Sequence, residues 1–292
     1  MKPAAFTYHA PQTLDDALAL LGTHGDAARP LAGGQSLVPM MNMRVARPGH
    51  LVDINALHEL QFIRETPGMV EIGALVRHCE IEHSPLLQRL CPILPVVAAS
   101  IGHLAIRERG TTGGSLANAD PAAQWPLLAL LLDARIDLAS SSGRRSVTAE
   151  KFFIGVFTTA AQANELVTAI ALPQLGAGEG WAYRSFTRRH GDYAIIAVGA
   201  TVKLATNGVI ERLRLAVGGV GGVPVLLDAI ASEWSGHTLD ADATREIGRR
   251  AAAAVEPGDD VHASAVFRRE LIEVLTVDAL ADALGRTQGS PA

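Results

Sequence analysis

Apolar and polar positions follow two rhythms along this chain, and the change of rhythm suggests where it divides. In "TLDDALALLGTHG", Leu14, Ala17, Leu18 and Leu21 share one helical face, Thr13 and Asp16 form a capping pair, and Gly22 and Gly25 supply the stop. "ARPLAGG" reads as a short buried strand entering a glycine turn. "SLVPMMNMR" then reads as a helix begun at Ser36, with Pro39 tolerated in its first turn. "HLVDIN" is a second strand, and "FIRETPGMVEIGAL" a hairpin about Pro67-Gly68. "PLLQRLCPILPVVAASIG" has helical period broken by prolines, and "PAAQWPLLALLLDA" is apolar enough to be a buried helix. "RIDLASSSGRRSVTA" predicts a strand pair turning at Ser142-Gly143, and "ELVTAIALP" one more strand.

Beyond "QLGAGEG" (Gln174 to Gly180), a glycine-rich linker, long strands take over. These are "GWAYRSFTRR", "YAIIAVGATVKLA" and "GVIERLRLAVGGV", the last two joined at Asn207-Gly208. Alanine-rich helices around "DATREIGRRAAAAV" and "ASAVFRRELIEVLTVDALADAL" close the chain, and the tail "GRTQGSPA" is expected to fray. The pattern predicts a small strand–helix–strand unit over about residues 1–57 and a larger one over 58–175. An α+β domain, an antiparallel sheet backed by helices, follows over 180–286. Neither glycine pair belongs to a fixed-period repeat, so a solenoid is not expected.

Composition narrows the function. At 292 residues and 48% hydrophobic, the chain is long enough for two domains. Charged residues are 19%, below the roughly 25% of typical soluble chains, which fits either a surface partly covered by another chain or a large aliphatic core. Net charge is −5 and no Lys/Arg block exceeds a pair, which argues against nucleic-acid binding. Two cysteines, Cys79 and Cys91, are too few for a cluster, a structural zinc site or a disulfide framework. No run has the length of a transmembrane span and the N-terminus lacks a signal core, so a cytoplasmic protein is expected.

Two short words carry the candidate chemistry: "AGGQS" (Ala32, Gly33, Gly34, Gln35, Ser36) and "TTGGS" (Thr111, Thr112, Gly113, Gly114, Ser115), both placed between regular elements. Glycines permit positive φ and close approach of a ligand to the backbone. Successive amides in such a turn form an anion-binding concavity, to which a following helix and the Ser and Thr hydroxyls add. Two facing nests could grip a pyrophosphate. A Gly-Gly is equally a plain turn, and this chain has 28 glycines. No GxxxxGK[ST] occurs, neither pair opens a G-x-G-x-x-G turn, and "GGVGG" (Gly218 to Gly222) reads as a loop.

The longer words "AGGQSLVPMMNMR" and "GTTGGSLANADPAAQWP", with "LVDIN", "FTRRHGDYAIIAVGA" and "VFRRELIEVL", resemble the flavin-binding medium subunit of the molybdenum hydroxylases. That family includes aerobic carbon monoxide, xanthine and nicotine dehydrogenases, and the resemblance runs through nearly the whole chain. It implies an α+β protein: a vanillyl-oxidase-type FAD-binding domain of two α/β subdomains, then an α+β C-terminal domain. It also implies FAD as cofactor, an iron–sulfur small subunit and a molybdopterin-binding large subunit as partners, and an external electron acceptor. Both glycine words would wrap the FAD pyrophosphate through amides and hydroxyls, with Leu37, Asn118 and Asp120 in the same shell. Glu165 and Leu166 would border the adenine, and Arg184 and Tyr193 the isoalloxazine ring. Gln124 departs from the family's frequent acidic residue, so its bond to a ribose hydroxyl lacks charge assistance. Thr112, often aliphatic in relatives, is a milder change.

No side chain need act as a catalytic acid, base or nucleophile, and no metal site is expected. His78 and His83 are five apart on an expected surface helix, a spacing that does not share a helical face. His190 reads as a solvated loop residue, Arg188-Arg189 as a solvated face or partner contact, and Trp125 as core. The serines lack a G-x-S-x-G setting. Two alternatives stay open at this point: a free-standing flavin oxidoreductase of the same fold, or a scaffold that has lost FAD.

Overall fold

A computed structural model describes residues 2–287. The expected frayed tail lies outside the described residues except for Gly285, Arg286 and Thr287, which continue the last helix.

The N-terminal unit is a three-stranded parallel sheet in the order Thr7–His9, His50–Asp53, Ala28–Leu31. Helix Leu14–His24 connects the first two strands in sequence and covers one face. Thr13 caps it as expected, its hydroxyl oxygen accepting from the Asp16 amide at 3.2 Å. Leu14, Ala17, Leu18 and Leu21 are all buried and pack with Ala28 and Val52. Each leucine so buried contributes about 2 kcal/mol relative to exposure.

The second unit is a five-stranded antiparallel sheet, ordered Ile63–Thr66, Met69–Gly73, Leu166–Pro173, Arg135–Ser140, Gly143–Thr148. Its central strand comes last in sequence. The chain between Gly73 and Arg135 must therefore leave the sheet and return, and it does so as short helices that include Thr112–Asn118 and Gln124–Leu131. Ser140 pairs with Gly143, so the tight turn is Ser141-Ser142, one position earlier than the pattern predicted. A small hairpin of Phe153–Gly155 and Thr158–Thr159 was not anticipated.

The third unit is an antiparallel meander of Glu179–Phe186, Ile196–Leu204, Ile210–Gly218 and Val225–Leu226, backed by helices Ala241–Ala253 and Ala265–Thr287. Asn207-Gly208 lies in its second turn, within the longer connection 205–209. Helix Gln124–Leu131 is buried at all eight positions because it lies against this sheet as well as the helices of its own unit. Arg268 is buried in the last helix. It donates to the carbonyls of Ile195 (2.7 Å) and Gly219 (2.9 Å) and is paired with Asp260, which anchors the segment after Tyr193. No helix among the described residues is long and apolar enough to cross a membrane.

Candidate functional site

The parallel sheet delivers the first glycine turn. Strand Ala28–Leu31 ends, Gly34 turns the chain with φ +71, and Val38 donates back to the Gly34 carbonyl at 3.0 Å to start helix Leu37–Asn42. That φ is strained for any residue with a Cβ. Gly33 is needed for a different reason: a Cβ there would run into the carbonyl of Arg109 and the Cα of Gly110. The first glycine word is thus in backbone contact with Arg109 and Gly110, the two residues just before the second.

The second word is not a loop. Its glycines occupy the first turn of helix Thr112–Asn118, with Thr111 as the N-cap whose Oγ1 accepts from Gly114 N at 3.1 Å. Thr112 N donates to Val76 O, Gly113 N to Ala74 O and Ser115 N to Thr111 O, at 2.9–3.0 Å. These amides are consumed within the protein, and what this word offers a ligand is the hydroxyls of Thr111 and Ser115. The first word is the reverse: among the described residues, the amides of Gly33, Gly34, Gln35 and Ser36 have no protein acceptor. One side of the cleft is a row of amides, the other a pair of hydroxyls. Four unpaired amides at a strand–helix turn attract an anion.

A cavity of about 580 Å³ runs along this cleft, within the range of small-molecule sites. It is lined by Ala32 to Leu37, by Thr111, Gly113, Gly114, Ser115, Asn118 and Gln124, and by Glu165, Leu166 and Tyr193. Three of the expected residues do not line it. Thr112 is fully buried and its hydroxyl faces Val76 O at 3.4 Å, because the helix start turns that side chain inward. Asp120 opens instead on a neighbouring cavity with Arg188, Arg189 and Tyr193. Arg184 is the larger departure: it pairs with Asp282 of the last helix at 2.5 Å, half-exposed and outside the cavity.

Charges around the cleft are ordered by burial and pairing. Loss of solvent raises the Asp120 carboxyl above its ordinary range, against the pull of the Ala122 amide. The Tyr193 phenol is likewise raised, first by loss of solvent and then by Asp120, with the Ser36 hydroxyl opposing. Glu165 is held low by its two-pronged pair with Arg145 at 2.6 and 2.7 Å; it also accepts from Gln162 N, and so pins the rim segment before Leu166. Gln124 is buried, lines the cavity and makes no side-chain hydrogen bond among the described residues, so its amide is available to a ligand.

Several contributors carry no local motif. Asn55 donates to Ala32 O at 3.0 Å, and Arg77 donates to Asn55 Oδ1 and to Arg109 O. The rim also takes Phe157, Thr158, Thr159 and Gln162 from the unanticipated hairpin and the turn after it. His78, expected at the surface, is 4% exposed. Its Nδ1 accepts from the Trp125 indole at 3.2 Å, and burial pushes its pKa down to about 4. Trp125 is core, as predicted. His190 is exposed, whereas Arg188 is tied to the carbonyl of His262 at 2.6 Å.

Fold and cleft together describe a two-domain nucleotide-binding protein. Residues 4–175 match the family described as FAD binding domain in molybdopterin dehydrogenase, and residues 181–283 the CO dehydrogenase flavoprotein C-terminal domain. The glyceraldehyde dehydrogenase medium chain of Sulfolobus acidocaldarius is 39% identical, over 96% of this chain and 98% of that one. The carbon monoxide dehydrogenase medium chain of Hydrogenophaga pseudoflava is 34% identical over 98% and 99%. Among solved structures, the reconstituted CO dehydrogenase from Oligotropha carboxidovorans superimposes with a TM-score of 0.95, at 34% identity over 98% of this chain and 100% of that one. The chain belongs to the FAD-binding medium subunits of the molybdenum hydroxylase family. It is an oxidoreductase flavoprotein subunit with FAD as its cofactor.

Proposed function

We propose that this chain is the electron-transfer subunit of a three-component molybdenum hydroxylase. In this reading it works beside an iron–sulfur small subunit and a molybdopterin-binding large subunit that oxidises the substrate, and it serves an external electron acceptor. The observation that carries the reading is the row of four unpaired amides, Gly33 to Ser36, lining a cavity opposite the Thr111 and Ser115 hydroxyls. Those groups would hold the diphosphate of FAD, and Asn118 and Gln124, which line the same cavity, would offer hydrogen bonds beside it. Bound FAD supplies the redox chemistry, exchanging electrons singly or in pairs.

The protein's own part is to bind, orient and tune. The amides offset the diphosphate charge without a mobile cation. The raised Tyr193 phenol stays protonated at neutral pH and is kept as a hydrogen-bond donor. Glu165 and Arg145 keep the rim in place. In this reading the units 1–57 and 58–175 close on the diphosphate, and the unit 180–286 covers the ring end through Tyr193. Cys79 and Cys91 are free thiols, which supports a reducing, cytoplasmic setting.

Purification of the untagged chain from its native host tests the proposal. Recovery of one FAD per chain together with two further subunits, one holding iron–sulfur clusters and one molybdopterin, is expected. A colourless chain that takes up no added FAD would overturn it in favour of a scaffold. A flavin-containing chain that turns over substrate alone would favour a free-standing oxidoreductase.

A further inference from the structure

Away from the FAD cleft, three histidines from three different elements meet. His9 ends the first strand, His24 ends the first helix, and His50 begins the central strand of the parallel sheet. None of them lines the cavity that holds the glycine turn. One ring nitrogen from each lies within 4.8 Å of the others, and all three residues are half-buried. His9 Nε2 and His50 Nδ1 are 3.0 Å apart, and the His24 and His50 rings stack with centroids 3.6 Å apart.

A protein gains little by gathering three imidazoles alone. His50 is held below the ordinary imidazole range by loss of solvent and by His24 and His9. No carboxylate among the described residues joins the cluster to balance the charge. What suits three imidazoles gathered this closely is a shared cation that accepts their lone pairs.

We propose that His9, His24 and His50 form a binding site for one divalent transition-metal ion of the zinc class. Three nitrogen donors with no oxygen exclude the calcium and magnesium class, which requires oxygen ligands. Tetrahedral zinc, with bonds of about 2.0–2.1 Å, sets its nitrogens roughly 3.4 Å apart. The His9–His50 pair already has about that spacing. His24 reaches it by turning about its side-chain bonds, which unstacks its ring from His50. The fourth position falls to water, because all three histidines are only partly buried.

The ion would be structural. It joins the first strand, the end of the helix that covers the sheet, and the central strand. The same sheet delivers the Gly33–Ser36 turn, so the clamp braces the base of the FAD cleft without touching FAD. The proposal is independent of the chain's role in electron transfer.

The test uses the untagged full-length chain, stripped with chelator and titrated with zinc chloride in a calorimeter. One zinc per chain is expected, with a thermal midpoint that rises with zinc concentration. Cobalt(II) in its place should give the intense visible bands of a tetrahedral site. His24→Gln and His50→Ala should each weaken zinc at least tenfold and abolish the cobalt bands. His24→Gln, at a helix end, is the variant that keeps the test valid if His50→Ala fails to fold. The idea is overturned if the parent takes up no zinc, or if His24→Gln binds zinc and cobalt as the parent does.

Discussion

Arg77 donates from its guanidinium to the side-chain oxygen of Asn55 at 2.6 Å. Asn55 in turn holds the Ala32 carbonyl, and Arg77 also holds the Arg109 carbonyl. One half-buried cation thereby fastens the start of the first glycine turn to the segment that leads into the second. Neither residue lines the cavity, yet together they set the width of the cleft between two units that share no sheet.

Replacing Arg77 with methionine should therefore loosen both sides at once. Hydrogen bonds from a charged group contribute about 1.5–3 kcal/mol each, so an FAD affinity roughly thirtyfold weaker is expected. Flavin fluorescence titration of the purified variant measures it. An unchanged affinity would mean that the cleft holds its width without the guanidinium.

Gly33→Ala forces a methyl group into the Arg109 carbonyl, and the two backbones must part to admit it. Overpacking of this kind costs about 1–3 kcal/mol. Here it falls on the cleft itself, so a tenfold to hundredfold loss of FAD affinity is expected, by roughly 1.4 kcal/mol per decade. Gly258→Ala, where an added Cβ meets open space and the residue does not line the cavity, is the control and should retain the parent's affinity.

Gln124 faces the cavity with an amide that no protein group among the described residues engages. Gln124→Asp restores a carboxylate and exchanges a neutral hydrogen bond for a charge-assisted one, a gain of about 1 kcal/mol. Fivefold tighter FAD binding is the expected result of equilibrium dialysis. Weaker binding would put this position beside the diphosphate rather than a ribose hydroxyl.

His78 makes stability depend on pH. In the folded chain its pKa is about 4, against 6.5 for the free side chain. Below pH 6.5 the unfolded chain takes up a proton that the folded chain refuses. The stabilisation present above pH 6.5 is therefore lost as the pH falls, until the folded form also protonates near pH 4. The slope approaches about 1.4 kcal/mol per pH unit within that window. Urea unfolding at several pH values should show it, and His78→Gln, which keeps an acceptor for Trp125, should flatten it.

The strand and helix boundaries were legible because most of them rest on local chemistry. The Thr13 cap, the apolar stripe of Leu14 to Leu21 and the Pro67-Gly68 hairpin each act within a few residues, and the structure keeps them. Where the prediction slipped, a distant partner decided. The second glycine word became a helix start because Ala74 and Val76, from another segment, accept the amides of Gly113 and Thr112. His78 moved from the expected surface to the interior because Trp125, 47 positions later, donates to it.

The sequence by itself determined the elements and the chemistry at hand: two glycine words with hydroxyls, a buried aliphatic helix, and a strand-rich C-terminal part. Tertiary structure alone decided which groups face one another. It placed Gly33 against Arg109, turned Arg184 toward Asp282, and gathered His9, His24 and His50 from three elements. The physical reason is range: caps, turns and periodicity are fixed by neighbours along the chain. A cleft forms only when separate sheets pack, and that packing depends on the shapes of whole buried faces that no short stretch contains.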